Sequence, residues 1–147
     1  MSEKNLKLIG NNLEDLKVIS AHLQDAIVST LDIANLKKNR IFLLQLSRFM
    51  WEDVEKGVFR KNKRIRTVLK FENVMQVSSK NIVSSRKERF LDFLTMEANL
   101  LPDKTYEINL IFSGDSVIRI EAEVIEITLD DQGAPWVTKN KPKHNFL

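Results

Sequence analysis

The run NLKLIGNNLEDLKVISAHLQDAIVST, residues 5–30, changes its hydrophobic period twice. Leu6 to Ile9 form a short apolar run that predicts a strand, and Gly10-Asn11-Asn12 predicts a turn. Leu13, Leu16, Ile19 and Leu23 then recur at helical spacing, which makes them the buried stripe of an amphipathic helix. Asn12 stands at its N-cap, and Glu14 and Asp15 lie in the first turn, where the helix dipole favours acids. The helical period stops in SAHLQDA, and Ile27, Val28 and Thr30 bring in the period of a strand. His22, Gln24 and Asp25 fall where the helix runs out of backbone partners. They are expected to hold this junction, His22 and Gln24 as donors and Asp25 as acceptor.

From there the pattern is β. LDIANL predicts a short strand, KKNR a turn, and RIFLLQLSRFMW a long strand whose first half is apolar on both faces, as a central strand would be. RIRTVLKF alternates Ile65, Leu69 and Phe71 inward with Arg64, Arg66 and Lys70 outward, and FENVMQVS is expected to continue it. VSSKNIVSSRKER reads as a loop or short helix, FLDFLTMEANL as a strand, and LPDK as a turn that Pro102 prevents from continuing it.

In EINLIFSGDSVIRIEAEV, Tyr106, Ile108, Leu110 and Phe112 share one face of a first arm. Ile118, Ile120, Ala122 and Val124 share one face of the second. A three-residue loop, Gly114-Asp115-Ser116, opposes Leu110 to Ile120 and Phe112 to Ile118, whereas a two-residue loop would oppose Leu110 to Arg119. Beyond Val124 the apolar parity moves to Ile125, Ile127 and Leu129, so a β-bulge is expected near Val124. About seven or eight strands, one early helix and no βαβ rhythm predict an α+β fold. It is predominantly antiparallel β, a curved sheet or partly closed barrel, with one early amphipathic helix.

Composition adds bounds. A chain of 147 residues, 43% hydrophobic and 29% charged, suits one domain with a core of its own, here residues 1–135, followed by a Lys-rich tail over 136–147. No apolar run approaches the roughly eighteen residues of a membrane span, and MSEKNLKLIG is charged where a signal peptide needs an apolar core. The absence of Cys fits a reducing compartment and excludes disulfides, thiol nucleophiles and thiolate zinc sites. A cytoplasmic location without a membrane partner is the expectation. The net charge is only +3, but Lys56, Arg60, Lys61, Lys63, Arg64, Arg66 and Lys70 stand within 56–70 with no acid, while residues 115–131 hold six acids against Arg119.

Three stretches, SAHLQDA at 20–26, RFMWE at 48–52 and WVTKNKPKH at 136–144, resemble the bacterial family filed as domain of unknown function 2948. The similarity runs from LKLI to the C-terminal PKH. The resemblance implies a single bacterial cytoplasmic domain and, because that family has no assigned activity, carries over no catalytic residue.

Candidate chemistry is thin. His22 reads as a capping residue at a helix C-terminus, with a catalytic role, together with its polar neighbours, as the competing reading. A metal site would need more ligands, and His144, the other histidine, shares no HxH or HxxxH spacing with it. Glu121 and Glu123 fall on one strand face, which a half-exposed sheet makes polar anyway. No GxGxxG, GxxxxGK[ST] or GxSxG pattern occurs, so neither a metal nor a cofactor is expected. Trp136 opens the tail and must dock on its own sheet or on a partner. The basic segment, with Phe59 and Phe71 interleaved, suits phosphate contact with stacking, although no RNP or GXXG signature accompanies it. The expected function is a small non-enzymatic binding or protein-interaction module. RNA binding through 56–70 and an enzyme using His22 are the alternatives. The candidate binding residues are His22, Arg60, Lys61, Lys63, Arg64, Arg66 and Trp136. The oligomeric state is left open.

Overall fold

A computed structural model describes residues 5–52, 62–82 and 87–138. In chain order these form β1 (Lys7–Gly10), α1 (Leu13–His22), β2 (Ile27–Leu36), β3 (Ile41–Phe49), β4 (Lys63–Phe71), β5 (Val74–Lys80), β6 (Phe90–Leu100), β7 (Tyr106–Phe112), β8 (Ser116–Ala122) and β9 (Ile127–Val137). Among the described residues the nine strands make one open, antiparallel sheet in the order β1-β9-β4-β3-β2-β6-β7-β8-β5. The α+β fold with one early helix is therefore the fold of the protein. No described helix is long and apolar enough to cross a membrane.

The helix starts where the sequence places it. Asn12 is extended and its Oδ1 accepts the Asp15 N–H at 2.8 Å, with Glu14 and Asp15 in the first turn. Its buried stripe is narrower than expected: Leu16, Ile19 and Leu23 are buried, but Leu13 is 44% exposed. Ser20 is buried instead, because its Oγ accepts the Met96 N–H at 3.0 Å and so docks the helix on β6.

The ten residues of α1 cannot cover nine strands. The inner faces of β3, β4 and β9 (Phe42, Leu44, Leu69, Ile127) and of β6, β7 and β8 (Phe93, Leu110, Ile120) are nonetheless buried in one core. The sheet must therefore curl so that its two halves cover each other. Register shifts in four pairings, β2 with β3, β4 with β9, β5 with β8 and β6 with β7, supply the bends.

Several local expectations are corrected. DAIVST and LDIANL are one strand, β2, with the irregularity between Val28 and Ile33 instead of a break. FENVMQVS follows on from β4 only after a kink: at Asn73, whose φ is 58°, the chain leaves the ladder with β9 and, as β5, pairs next with β8 at the edge of the sheet. Of VSSKNIVSSRKER, residues 77–80 belong to β5 and residues 83–86 lie outside the described residues. The β7–β8 hairpin pairs Leu110 with Ile118 and Phe112 with Ser116, so its loop is Ser113-Gly114-Asp115. This register differs from the expected one by two residues. Parity cannot distinguish such registers, since the same faces stay inward. What decides is Ser116, fully buried with its Oγ donating to the Asn81 carbonyl at 3.1 Å. The change of parity after Val124 coincides with extra residues, as a bulge there would give: between the pairs Phe71–Ile127 and Val74–Ala122 stand two residues on one side and four on the other. It marks the break between β8 and β9, where the chain leaves one half of the sheet for the other, and Val124 is 49% exposed. Trp136 and Val137 continue β9, opposite Arg64 and Lys63, so the first two residues of the expected tail belong to the sheet; residues 139–147 lie outside the described residues.

One end of the core is ionic. Arg48 follows Phe42, Leu44 and Leu46 on the inner face of β3, and its side chain is fully buried. It donates Nε–H and Nη2–H to Asp131 of β9 at 2.8 and 2.7 Å, and Nη1–H and Nη2–H to Glu52 at 3.0 and 2.9 Å. Burial opposes the charge of Arg48, but the bonds to Asp131 and Glu52 outweigh it and hold the guanidinium protonated more firmly than an ordinary arginine. Asp131 also accepts the Leu6 N–H at 3.0 Å, tying in the approach to β1.

Replacing Arg48 by Met leaves the Asp131 carboxylate buried without its counter-ion and is expected to cost about 3–5 kcal/mol in urea denaturation. Glu52→Gln should cost distinctly less than Asp131→Asn, because the Glu52 side chain is 25% exposed and that of Asp131 1%. At the helix-to-strand junction Asp25 has φ 64°, the left-handed region that a β-carbon makes unfavourable. Both Asp25→Ala and Asp25→Gly remove the carboxylate, so their difference reads the backbone alone. The alanine variant should be the less stable by about 1 kcal/mol in thermal denaturation.

Candidate functional site

The helix-to-strand junction and the outer face of β3, β4 and β9 meet at one corner. The three stretches that carry the family resemblance converge there. Trp51 of RFMWE donates its indole N–H to the Gln24 carbonyl of SAHLQDA at 2.8 Å, and stacks edge-on against Phe49 with ring centres 4.6 Å apart. Arg64 donates to the carbonyls of Asp25 at 3.2 Å and Ser47 at 3.0 Å, and lies over the Phe49 ring. Directly opposite Arg64 on β9 is Trp136. Burial pushes the pKa of Arg64 down, with the carboxylates of Asp25 and Asp92 opposing the shift.

The residues of SAHLQDA do structural work through their backbone. The last turn of the helix is closed by the Leu23 N–H, which donates to the Ile19 and Ser20 carbonyls. Gln24 and Asp25 contribute their backbone carbonyls, and the Asp25 N–H donates to Phe93 of β6 at 2.9 Å. His22 ends the helix partly buried, and its Nδ1 is buried with no hydrogen-bond partner among the described residues.

The described cations of the basic segment do not share one environment. Lys56, Arg60 and Lys61 lie outside the described residues, as does Phe59. Arg64 is turned onto carbonyls of its own chain, Lys70 stands 3.6 Å from Glu72, and Phe71 is 1% exposed and cannot stack. Lys63 pairs through its backbone with Val137. Arg66 is the exception: exposed, and without a hydrogen bond or ion pair among the described residues. Among the described residues, ion pairs of the acidic stretch lie elsewhere. Its carboxylates meet other arginines, Glu123 with Arg40, Glu121 with Arg119 and Asp131 with Arg48. Glu121 and Glu123 do not form a pair, because β8 ends at Ala122 and each is taken by a different arginine. Among the described residues no three of His, Asp and Glu are grouped to hold a metal ion.

What the structure does assemble is a cleft on the outer face. Arg66 pairs with Gln132 and Arg64 with Trp136, so Gly133, Ala134 and Pro135 of β9 stand opposite Ile65 alone. Gly133 has φ 71°, a conformation open to it because it lacks a β-carbon, and Pro135 needs no partner for a backbone N–H. The resulting bulge carries Trp136 to the rim of an open cleft of about 570 Å³, lined also by Leu43, Gln45, Arg66, Val68 and Ala134. Trp136 is 42% exposed. Of the described residues expected to bind, the structure brings Arg66 and Trp136 together on one cleft, turns Arg64 onto the Asp25 and Ser47 carbonyls, and sets His22 apart in the junction. The partners it adds, Leu43 and Val68, carried a readable signal: apolar residues at the solvent-facing parity of their strands.

No curated protein and no solved structure matches the chain. A family model described as a protein of unknown function, DUF2948, matches residues 6–144. The chain belongs to that family over nearly its whole length.

Proposed function

We propose that this protein is a non-enzymatic cytoplasmic binding module whose partner is another protein, held as a polypeptide segment in the cleft beside Trp136. The observation that carries the reading is the bulge at Gly133–Pro135, which fixes the backbone of a half-exposed tryptophan beside an exposed, unpaired Arg66. Trp and Arg dominate the energetics of protein interfaces, because one offers a large rigid apolar surface and the other a planar fork for carboxylates. Leu43 and Val68 give the floor an apolar lining, and Gln45 and Gln132 add hydrogen-bonding groups at its sides. An acidic side chain next to an apolar one is the segment that this arrangement fits. The lack of Cys supports a reducing compartment.

Panning a random peptide library against the purified chain, then titrating the enriched peptides, tests this. Peptides carrying an acid beside an apolar residue are expected, and Trp136→Ala should weaken them about thirtyfold, the scale of an interface hot spot. Arg66→Glu should weaken them too, with loss of their salt dependence. Enriched peptides that bind Trp136→Ala as well as the parent chain would overturn the proposal. So would tight, salt-sensitive binding of poly(U) in the absence of any enriched peptide, which would favour RNA instead.

A further inference from the structure

The curled sheet stops just short of closing. At the start of β5 the Val74 N–H donates to the Arg40 carbonyl at 2.9 Å, and the Val74 carbonyl accepts the Arg40 Nε–H at 3.4 Å. Beyond Val74 the strand leaves this neighbour. Among the described residues no strand pairs with β5 on the side away from β8. The gap that opens between β5 and the β2–β3 turn is a cleft of about 570 Å³, lined by Asn35, Lys37, Arg40, Glu123 and residues 74–77.

Natural sheets guard such an edge with charge, proline, extreme shortness or a covering element. The other edge, β1, has four residues. β5 has seven, and from Val74 to Ser79 it carries neither a charge nor a proline, with Met75 51% exposed. The edge is also rigid. The Asn81 side chain donates to the Asp115 carbonyl at 2.9 Å, Ser116 donates to the Asn81 carbonyl, and Gln76 to Lys80 pair regularly with β8. A preformed edge loses little freedom on binding. Its electrostatics are one-sided: Lys37 and Lys38 are exposed at one end and Lys80 at the other, while Glu123, the acid of the cleft, is taken by Arg40 at 2.6 Å.

We propose that this edge takes an extended acidic polypeptide segment as a further strand, hydrogen-bonded to the backbone of Gln76–Lys80, with its carboxylates reaching Lys37 and Lys80. Main-chain bonds supply the attachment and the cations at the two ends select acid over base. The site is separate from the Trp136 cleft, since the two clefts share no lining residue.

The test is an NMR titration of the full chain, labelled with ¹⁵N, using two synthetic probes. One is the capped heptapeptide Glu-Val-Glu-Val-Glu-Val-Glu, the other its counterpart with Lys for Glu. The acidic probe should shift the amides of residues 76–80 and the basic probe should not. The double variant Lys37→Glu with Lys80→Glu, two surface changes that leave the core untouched, should weaken the acidic probe about tenfold, and Trp136→Ala should leave it unchanged. The proposal is overturned if millimolar acidic probe leaves those amides unmoved, if both probes shift them alike, or if Trp136→Ala abolishes the effect. The last result would assign the peptide to the other cleft.

Discussion

Among the described residues a nine-stranded antiparallel sheet, with only the ten residues of α1 packed on it, has to cover its own inner face, and the rest of the architecture depends on that constraint. Burial of Phe42, Leu44, Leu69 and Ile127 in the same core as Phe93, Leu110 and Ile120 requires the two halves of the sheet to face each other. Neither half would be dry alone, since hydrophobic stabilisation follows the apolar area removed from water. Curling brings β5 within hydrogen-bonding reach of Arg40, and the register shifts that permit it also aim Trp136 outward. Bending, the free edge and the outer cleft are consequences of one packing problem.

Where the curled halves run out of apolar residues, the core is completed by charge. Arg48 occupies an inner-face position that its strand otherwise fills with Phe and Leu, and it is tolerated there because every side of its guanidinium meets a carboxylate. The arrangement joins β3 to β9 across β4 and draws Leu6 in through Asp131. Its value lies in register more than in net stability, since a buried ion pair often gains little over apolar packing while a mispaired one is costly. A slip of β9 by one residue would turn Asp131 to the opposite face and leave Arg48 short of a partner.

The site was only partly readable. Trp136 stands out in the chain as a bulky residue next to a Lys-rich run, and Arg66 lies within an evident cluster of cations. That Arg64 serves as a support for the Asp25 and Ser47 carbonyls could not be seen, because two cations two residues apart on one strand face look alike until the neighbouring elements are in place. Arg48 left a trace, as does Asp131 after Ile127 and Leu129: each puts a charge at the buried parity of its strand. Complementary charges at matching buried parity in separate strands are a signal for a buried pair.

By itself the sequence determined what depends on neighbours along the chain. The Asn12 cap, the helical stripe, the alternation of β3 and β4, the turn at LPDK and the faces of the β7–β8 arms all follow from side chains acting on their own backbone or on water. The tertiary structure decided what depends on which strands become neighbours. It carried the chain beyond the kink at Asn73 from β9 to β8, leaving β5 at an edge, set the hairpin register through a hydrogen bond from Ser116 to a different strand's turn, and made the extra residues near Val124 the crossing between sheet halves. Local periodicity has a period of two and is blind to even shifts and to partner identity, so only long-range contacts could settle those questions.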